Sequence, residues 1–227
     1  MERISELTMN QADKRDPLVE RYYRDSRPDI FNLVPKESKT VLDIGCGEAE
    51  LGAQLKARGC EYVAGIELNR KVAEIARTKL DLVLEADVEK LKFPFKDGYF
   101  DCIVLGDILE HLIEPWGLLT KLAGYLSDQG CIVCSIPNIR HYSIIVNLIL
   151  GRWQYQQRGL LDSTHLRFFT LGSIKEMVHQ AGYDIIHLQR KILARRSMRF
   201  LNRLLLNSLQ DFITFHYLIV LKKKGSA

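Results

Sequence analysis

Short apolar runs alternate along this chain with stretches whose apolar residues recur at helical spacing. Five runs have the length and the Val, Ile and Leu content of strands buried on both faces: Thr40–Ile44, Tyr62–Glu67 and residues 82–86, 99–105 and 131–136. Helical stretches separate them at residues 51–58, 71–80 and 115–126. This alternation predicts βαβ crossovers, a mostly parallel sheet and helices on both of its faces.

The two ends of the chain and its middle depart from this alternation. Residues 1–38 are polar and predict a helical lead-in, whereas residues 39–224 make up the predicted α/β domain. Within that domain, residues 138–170 are rich in His, Tyr, Trp and Arg and predict an insertion over the carboxyl edge of the sheet. The remaining predictions are a helix at 171–181, a strand at 183–189, an amphipathic helix at 193–213 and a last strand at 215–221.

Composition narrows the class of protein. Hydrophobic residues make up 47% and charged residues 26% of the chain, and its net charge is only +4, as in an ordinary soluble protein. The first residues lack the apolar stretch of a signal peptide, and no run reaches the about 18 apolar residues of a membrane span. The scattered cysteines predict a reducing, cytoplasmic setting. Cys131 and Cys134 are interpreted as core thiols, so no metal site is predicted.

The strongest chemical signal is the motif VLDIGCGEAELG at residues 41–52, directly after the first strand. Its glycines let the backbone turn sharply and let a ligand approach it closely. A phosphate-binding loop would carry a lysine, but this loop carries the acids Asp43 and Glu48. It therefore suits a cofactor with an ammonium and a sulfonium group better than one with a pyrophosphate.

Polar or glycine residues also end the next three strands. Glu67 follows the loop by about twenty residues, which is where a carboxylate binds ribose hydroxyls in dinucleotide-type folds. Asp87 and Val88 follow the third strand, and Gly106 and Asp107 follow the fourth. Four consecutive strand ends thus meet at one edge of the sheet, where open α/β sheets bind their ligands.

In this order, the motifs resemble those of the class I S-adenosylmethionine-dependent methyltransferases. The match runs through residues 43–47, 67–69, 87–88 and 101–112, and the block DSTHLRFFT at 162–170 is similar to ubiquinone-type O-methyltransferases of bacteria. The resemblance implies a Rossmann-like, doubly wound, seven-stranded sheet whose last strand is antiparallel between its neighbours. It also implies S-adenosylmethionine as the cofactor and a small molecule or a cell-surface or lipid-linked glycan as the methyl acceptor.

The resemblance assigns roles to particular residues. Glu67 would bind the ribose, Asp87 the adenine amino group, and the loop that begins at Asp43 the methionine part of the cofactor. Tyr22 or Tyr23 would close over the cofactor from the lead-in. The full set of predicted cofactor-binding residues is Asp43, Gly45, Cys46, Gly47, Glu67, Leu68, Asp87, Val88 and Gly106.

Methylation of a hydroxyl group needs a base that removes its proton, and the candidates are His165, His111, Asp107 and His141. His165 lies in the aromatic insertion and is predicted to face the methyl group. The alternative for His165 is a bracing role in its own loop, and the alternative for His111 is a structural role.

Residues 195–212 place apolar side chains on one face of a helical wheel and arginines on the other. The stretch is interpreted as a helix that packs on the domain or on a homodimer partner, and contact with a membrane surface is the alternative. Residues 143–150 form a second apolar patch that could join it. The chain is accordingly expected to be a monomer or a homodimer.

The sequence leaves other functions open. A methyltransferase could act on a quinone-type aromatic, a protein or a nucleic acid, but the fourth strand ends in LGDI and no basic aromatic tract is present, which disfavours nucleic acid. A cofactor-binding module without catalysis is a further alternative, although no motif is interrupted. A nicotinamide oxidoreductase is disfavoured because the spacing GCGEAELG does not give G-x-G-x-x-G.

Overall fold

The structure is a computed structural model that describes residues 26–225. The predicted closure by Tyr22 or Tyr23 and most of the predicted lead-in lie outside the described residues. The strands are β1 (Thr40–Ile44), β2 (Tyr62–Glu67), β3 (Leu82–Glu85), β4 (Phe100–Gly106), β5 (Leu126–Pro137), β6 (Tyr183–Ile192) and β7 (Thr214–Lys223). The helices are α1 (Pro28–Phe31), α2 (Glu50–Arg58), α3 (Arg70–Ala76), α4 (Pro115–Tyr125), α5 (Tyr142–Ile149), α6 (Leu171–Gln180), α7 (Arg196–Leu204) and α8 (Gln210–Ile213).

All seven strands join one sheet in the order β3-β2-β1-β4-β5-β7-β6. Strands β1 to β5 pair in parallel, and β7 pairs antiparallel with both β5 and β6. The predicted sheet, with its last strand antiparallel between its neighbours, is therefore confirmed. The strand order reverses between β1 and β4, which places the usual ligand crevice at the carboxyl ends of those two strands.

The parallel strands are buried because helices cover both faces of the sheet. Leu42 and Ile44 of β1 enter a core cluster on one face, and Val41 enters a second cluster on the other. Successive side chains of a strand point to opposite faces, so an unbroken apolar run is what a strand between two helix layers needs. This explains why the sequence predicted the strands well.

The segment before β1 is fixed to the domain by Arg58 at the end of α2. Its guanidinium group donates to the carbonyl oxygens of Phe31, Val34 and Pro35 at 3.1–3.2 Å, and it stacks on the Phe31 ring at 4.7 Å. Ile30 is fully buried in the same cluster as Val41. Residues 26–38 therefore lie against the sheet and α2, with one short helix, α1.

The connection between β6 and β7 differs from its prediction. Residues 195–212 were expected to form one helix, but the structure has α7 and α8 separated by Leu206 and Asn207, both in the left-handed conformation with φ of 52° and 64°. The single-helix prediction is wrong because this turn interrupts it. In the described part of the chain, no helix has both the length and the apolar composition needed to cross a bilayer.

Candidate functional site

The glycine loop between β1 and α2 adopts a conformation that few residues allow. Gly45 and Gly47 have φ of 73° and 57°, and Ala49 has φ of 63°. The backbone N–H of Gly45 donates to the carbonyl of Ile66 at 2.8 Å, which ties the loop to the end of β2. A Cβ on Gly45 would lie 2.1 Å from Cδ1 of Ile108, so the loop approaches the segment after β4 as closely as glycine permits.

Glu67 lies directly behind this loop. Its carboxylate accepts hydrogen bonds from the N–H of Gly47 at 3.1 Å and of Asn69 at 2.8 Å. Burial raises the pKa of Glu67, and these two N–H groups oppose that rise. Its neighbour Leu68 is 59% exposed, so it offers an apolar surface at the edge of the sheet. The structure thus brings together the loop and the acidic residue that the sequence predicted as neighbours.

Cys46 and Val88, both predicted to bind the cofactor, point into the protein. A Cβ on Gly65 of β2 would lie 2.6 Å from Sγ of Cys46, which shows that this side chain packs under the loop. Val88 is buried in a core cluster. Asp87 is better placed, since it is only partly buried, but its two oxygens already contact the N–H of Glu89 and Nζ of Lys90, each at 3.0 Å.

Arg27 is a site residue that sequence reasoning missed. Its Nη1 lies 2.9 Å from Oδ2 of Asp107, and its Nε lies 3.4 Å from Oδ1 of Asp29. A Cβ on Gly106 would lie 3.2 Å from the same Nη1, so Arg27 passes directly over the end of β4. No motif marks Arg27, because it precedes β1 and reaches the site only through the folding of residues 26–38.

Buried charge surrounds Arg27. Burial raises the pKa of Asp43 to about 7, although the Arg27 guanidinium group opposes that rise. Burial also acts on Asp107, but Arg27, His216 and the Ser135 hydroxyl group, which donates at 2.6 Å, hold the pKa of Asp107 below its usual value. A carboxylate with a low pKa and these partners is a weak base. The arrangement favours a role for Asp107 in orienting Arg27.

Two further base candidates, His111 and His165, meet beside the end of β4, whereas the fourth, His141, contacts the carbonyl of Leu193 instead. Their imidazole rings lie edge to face, with His111 and His165 centroids 4.8 Å apart. The end of the inserted segment is fixed there, because the N–H groups of Leu166 and Arg167 donate to the carbonyl of Glu110 at 2.8 and 2.9 Å. The insertion therefore brings His165 to the loop after β4.

Backbone carbonyls orient both rings. Nδ1 of His165 lies 3.4 Å from the carbonyl oxygen of Leu160, and Nδ1 of His111 lies 3.2 Å from that of Thr164. When Nδ1–H donates to these oxygens, Nε2 of each ring is left as the basic nitrogen. Burial, with a smaller contribution from the His111 charge, holds the pKa of His165 below its usual value. His165 is consequently neutral near pH 7.

A buried carboxyl group completes this cluster. Glu110 is 1% exposed, and burial, together with the nearby charge of Asp107, raises its pKa well above the usual range. Its Oε1 lies 4.0 Å from Nε2 of His165, and its buried Oε2 has no hydrogen-bond partner among residues 26–225. Ligand atoms of Glu110, His111 and His165 all lie within 4.8 Å of one another, a grouping that could hold a metal ion.

An exposed aromatic cluster adjoins the histidines. The Trp153 ring lies 5.7 Å from Phe168 and 6.4 Å from Tyr155, and Phe168 lies 6.4 Å from His165. All three aromatic side chains are at least 36% exposed. They therefore present ring faces at the same edge of the sheet and are available to stack on a ligand.

The fold and the edge of the sheet define the class of protein. Ligands of open parallel sheets bind where the strand order reverses, here beside the glycine loop and Glu67. A buried carboxylate next to a glycine loop without lysine suits an adenosyl ligand with a cationic tail. This is the arrangement of a Rossmann-like methyltransferase that uses S-adenosylmethionine.

Comparisons with known proteins agree with this class. A family model described as a methyltransferase domain matches residues 16–188, so the chain belongs to the methyltransferase-domain family. The ubiquinone biosynthesis O-methyltransferase of Neisseria meningitidis serogroup C is 27% identical over 155 residues, which cover 65% of this chain and 64% of that protein. The chain therefore matches a little less than two-thirds of that relative's length.

Solved structures share the fold. A SAM-dependent methyltransferase from Archaeoglobus fulgidus superposes with a TM-score of 0.66 at 20% identity, covering 96% of this chain and 99% of that one. The plantazolicin methyltransferase BpumL in complex with SAH gives a TM-score of 0.59 at 17% identity, with 97% and 90% covered. The predicted class I S-adenosylmethionine-dependent methyltransferase is confirmed, with S-adenosylmethionine as the cofactor of this class.

Proposed function

We propose that this protein transfers the methyl group of S-adenosylmethionine to a hydroxyl oxygen on a ring-containing small molecule. The observation that carries the proposal is the His111–His165 pair beside the end of β4, with exposed aromatic rings next to it. A hydroxyl acceptor must lose a proton when it is methylated, and a neutral imidazole is suited to accept it near pH 7.

The residues at the carboxyl edge fit the cofactor. Glu67 would bind the ribose hydroxyls, since its carboxylate lies against the glycine loop with acceptor capacity left after two N–H contacts. Leu68 would pack on the adenine, and Asp87 would accept from its amino group. Asp43 would face the ammonium group of the methionine part, and Arg27 would donate to its carboxylate.

S-adenosylmethionine supplies, when bound, a methyl group already activated by its sulfonium. The protein therefore has to align the acceptor, exclude water and take up one proton. The His165 side chain is 7% exposed, and its Nε2 lies 4.0 Å from Oε1 of Glu110. We assign the proton to this pair of rings, with Glu110 behind them as a positioning group.

Single alanine variants test the pair. Replacing the ring that accepts the proton should lower kcat at least about tenfold, because a positioned base contributes about 10²–10⁴-fold. Binding of S-adenosylhomocysteine, measured by calorimetry, should stay within about twofold, a difference below about 0.5 kcal/mol. Wild-type kcat in both His165→Ala and His111→Ala would refute the proposed base.

The acceptor class is proposed on two grounds. The exposed rings of Trp153, Tyr155 and Phe168 would stack on a sugar or a phenol, and the name of the Neisseria relative points to a quinone precursor. We therefore expect methylation of a dihydroxyphenyl ring or of a glycan, in free or lipid-linked form, and no methylation of nucleic acid. An acceptor screen with labelled cofactor tests this, and label found only in protein or RNA would contradict it.

The proposed setting is the cytoplasm, which supplies S-adenosylmethionine. All five cysteines are free and buried, which fits a compartment where thiols stay reduced.

A further inference from the structure

Two segments at the carboxyl edge of the sheet expose large apolar side chains. Between β6 and β7, Phe200 is 71%, Leu204 68% and Leu206 91% exposed. After β5, Ile149 is 78% and Leu150 59% exposed. Single exposed apolar residues are common, but contiguous groups of them mark interaction sites. We refer to residues 146–150 and 200–206 together as the apolar edge surface.

The connections that carry the two segments begin beside each other in the fold. Nε2 of His141, at the start of α5, lies 2.8 Å from the carbonyl oxygen of Leu193, which precedes α7. Nδ2 of Asn138 donates to the carbonyl of Thr214 at 2.8 Å. Because β7 is antiparallel to β5 and β6, its first residues lie beside the last residues of both. Both segments therefore leave the edge of the sheet that also carries the His111–His165 pair.

The outward orientation of the leucines is built into the connection. Asn202, in the middle of α7, is only 5% exposed. Its Nδ2 donates to Oδ1 of Asn207 at 3.1 Å, and its Oδ1 accepts from the N–H of Leu209 at 3.0 Å. The helix thus turns a polar side chain inward and Phe200 and Leu204 outward. A rotation that buried those two side chains would break both bonds of Asn202.

The stretches of sequence that carry the apolar edge surface contain basic residues and no acidic ones. Between Asp184 and Asp211 the sequence has six basic residues and no acidic one, and between Asp128 and Asp162 it has three basic residues and no acidic one. Arg190 and Lys191 pair with Asp211 and Asp29. The other four residues of the first group are exposed and make no ion pair with any residue in the range 26–225: Arg195, Arg196, Arg199 and Arg203.

We propose that the apolar edge surface docks on a bilayer that contains anionic phospholipids. Aliphatic side chains flanked by arginines, with the amphipathic rings of Trp153 and Tyr155 nearby, are the chemistry of an interfacial contact. A second copy of the chain is a poorer occupant, because a two-fold interface would bring the unpaired arginines of both copies together.

The proposed docking rests on the proposed function, because its purpose would be to bring the site to an acceptor in the membrane. The cofactor edge and the histidines would face the bilayer side of the protein, so an acceptor dissolved in the membrane or carried on a lipid would reach the site directly. The membrane contact itself can be measured without any acceptor, which keeps the two proposals separable.

Vesicle sedimentation tests the contact. The full-length protein should co-sediment with vesicles of phosphatidylcholine and phosphatidylglycerol in equal parts, and much less with phosphatidylcholine alone. Raising the salt concentration to 1 M should release it, because the screening length falls to about 3 Å. Combining Arg199→Glu with Arg203→Glu should lower the vesicle partition at least about tenfold, since each basic residue near an anionic surface adds several-fold to the affinity.

A matched variant controls for net charge. Combining Lys36→Glu with Lys96→Glu makes the same charge change at exposed positions before β1 and β4, on the opposite edge of the sheet. This variant should bind vesicles within about threefold of wild type, because charges beyond a Debye length are screened. If both charge variants lose binding equally, the contact is nonspecific and the proposed surface is wrong.

The apolar side chains of the apolar edge surface are tested separately from its arginines. Combining Phe200→Ser with Leu204→Ser should also lower the vesicle partition, whereas Ile75→Ser with Ile186→Ser, which are exposed elsewhere, should not. Calorimetric binding of S-adenosylhomocysteine should be unchanged in every variant and shows that each is folded. The proposal would be overturned in favour of a second copy if the wild type bound no vesicles but formed a dimer in ultracentrifugation, and if Phe200→Ser with Leu204→Ser abolished that dimer. Methylation of a soluble ring acceptor would then still support the proposed function.

Discussion

Replacing Arg27 by alanine is expected to weaken the binding of S-adenosylhomocysteine by one to two orders of magnitude. The guanidinium group lies over Gly106, with Nη1 2.9 Å from Asp107, and we propose that it donates to the carboxylate of the methionine part. A hydrogen bond to a charged group is worth about 1.5–3 kcal/mol. At about 1.4 kcal/mol for each factor of ten, the loss corresponds to about 10–150-fold in Kd.

A second ligand isolates the carboxylate. Titration calorimetry with 5′-methylthioadenosine, which lacks the carboxylate and the ammonium group, should give nearly the same Kd for Arg27→Ala and wild type. Lys191→Ala is the control, since it removes a positive charge from the same network at its contact with Asp29 without reaching Asp107. Equal weakening of both ligands by Arg27→Ala would refute the reasoning and leave Arg27 as a structural residue that anchors residues 26–38.

Three further predictions concern Glu67, Asp43 and Gly45. Glu67→Ala should weaken S-adenosylhomocysteine by about 1.5–3 kcal/mol because the ribose hydroxyls lose a charged acceptor, and an unchanged calorimetric Kd would remove Glu67 from the site. Folding raises the pKa of Asp43 from 3.8 to about 7, so its contribution to stability is present at low pH and is lost as the pH rises through 7. Asp43→Asn should therefore raise Tm more at pH 8 than at pH 5, and equal shifts at both pH values would contradict the raised pKa. Gly45→Ala should destabilise the fold by more than about 1 kcal/mol in urea unfolding, because its φ is 73° and its Cβ would lie 2.1 Å from Ile108. Gly124→Ala, in α4 with open space around the new Cβ, is the control and should be neutral or stabilising.

The strands and the glycine loop could be predicted because their physical requirements appear in the sequence itself. A strand covered on both faces has to be apolar at nearly every position, as in β1, where Val41 and Leu42 enter different core clusters. The loop needs glycine where φ is positive, and Glu67 follows it at the spacing of a βαβ unit. These constraints are local, so they can be recognised in the sequence without knowledge of the fold.

Other parts of the site depend on contacts between distant segments. Arg27 reaches Asp107 only because Arg58 fixes the segment that follows it. The break after α7 was missed because residues 204–206 are all leucine and continue the helical pattern, whereas Asn207 ends it through a bond to the side chain of Asn202. The outward face of α7 also reverses the usual rule that apolar side chains point inward, and periodicity alone does not tell which face is covered.

The register of β5, β6 and β7 divides the molecule into two parts that could change independently. Residues 138–170 and the connection between β6 and β7 leave the sheet at the ends of strands, and neither interrupts the ladder of β7 with its neighbours. The loop, Glu67 and Arg27 belong to the other half of the sheet, around β1, β2 and β4. If the proposed acceptor site and membrane contact are right, a transplant of both segments from a related protein would exchange the acceptor and the membrane contact, while the part of the sheet proposed to bind the cofactor stayed the same.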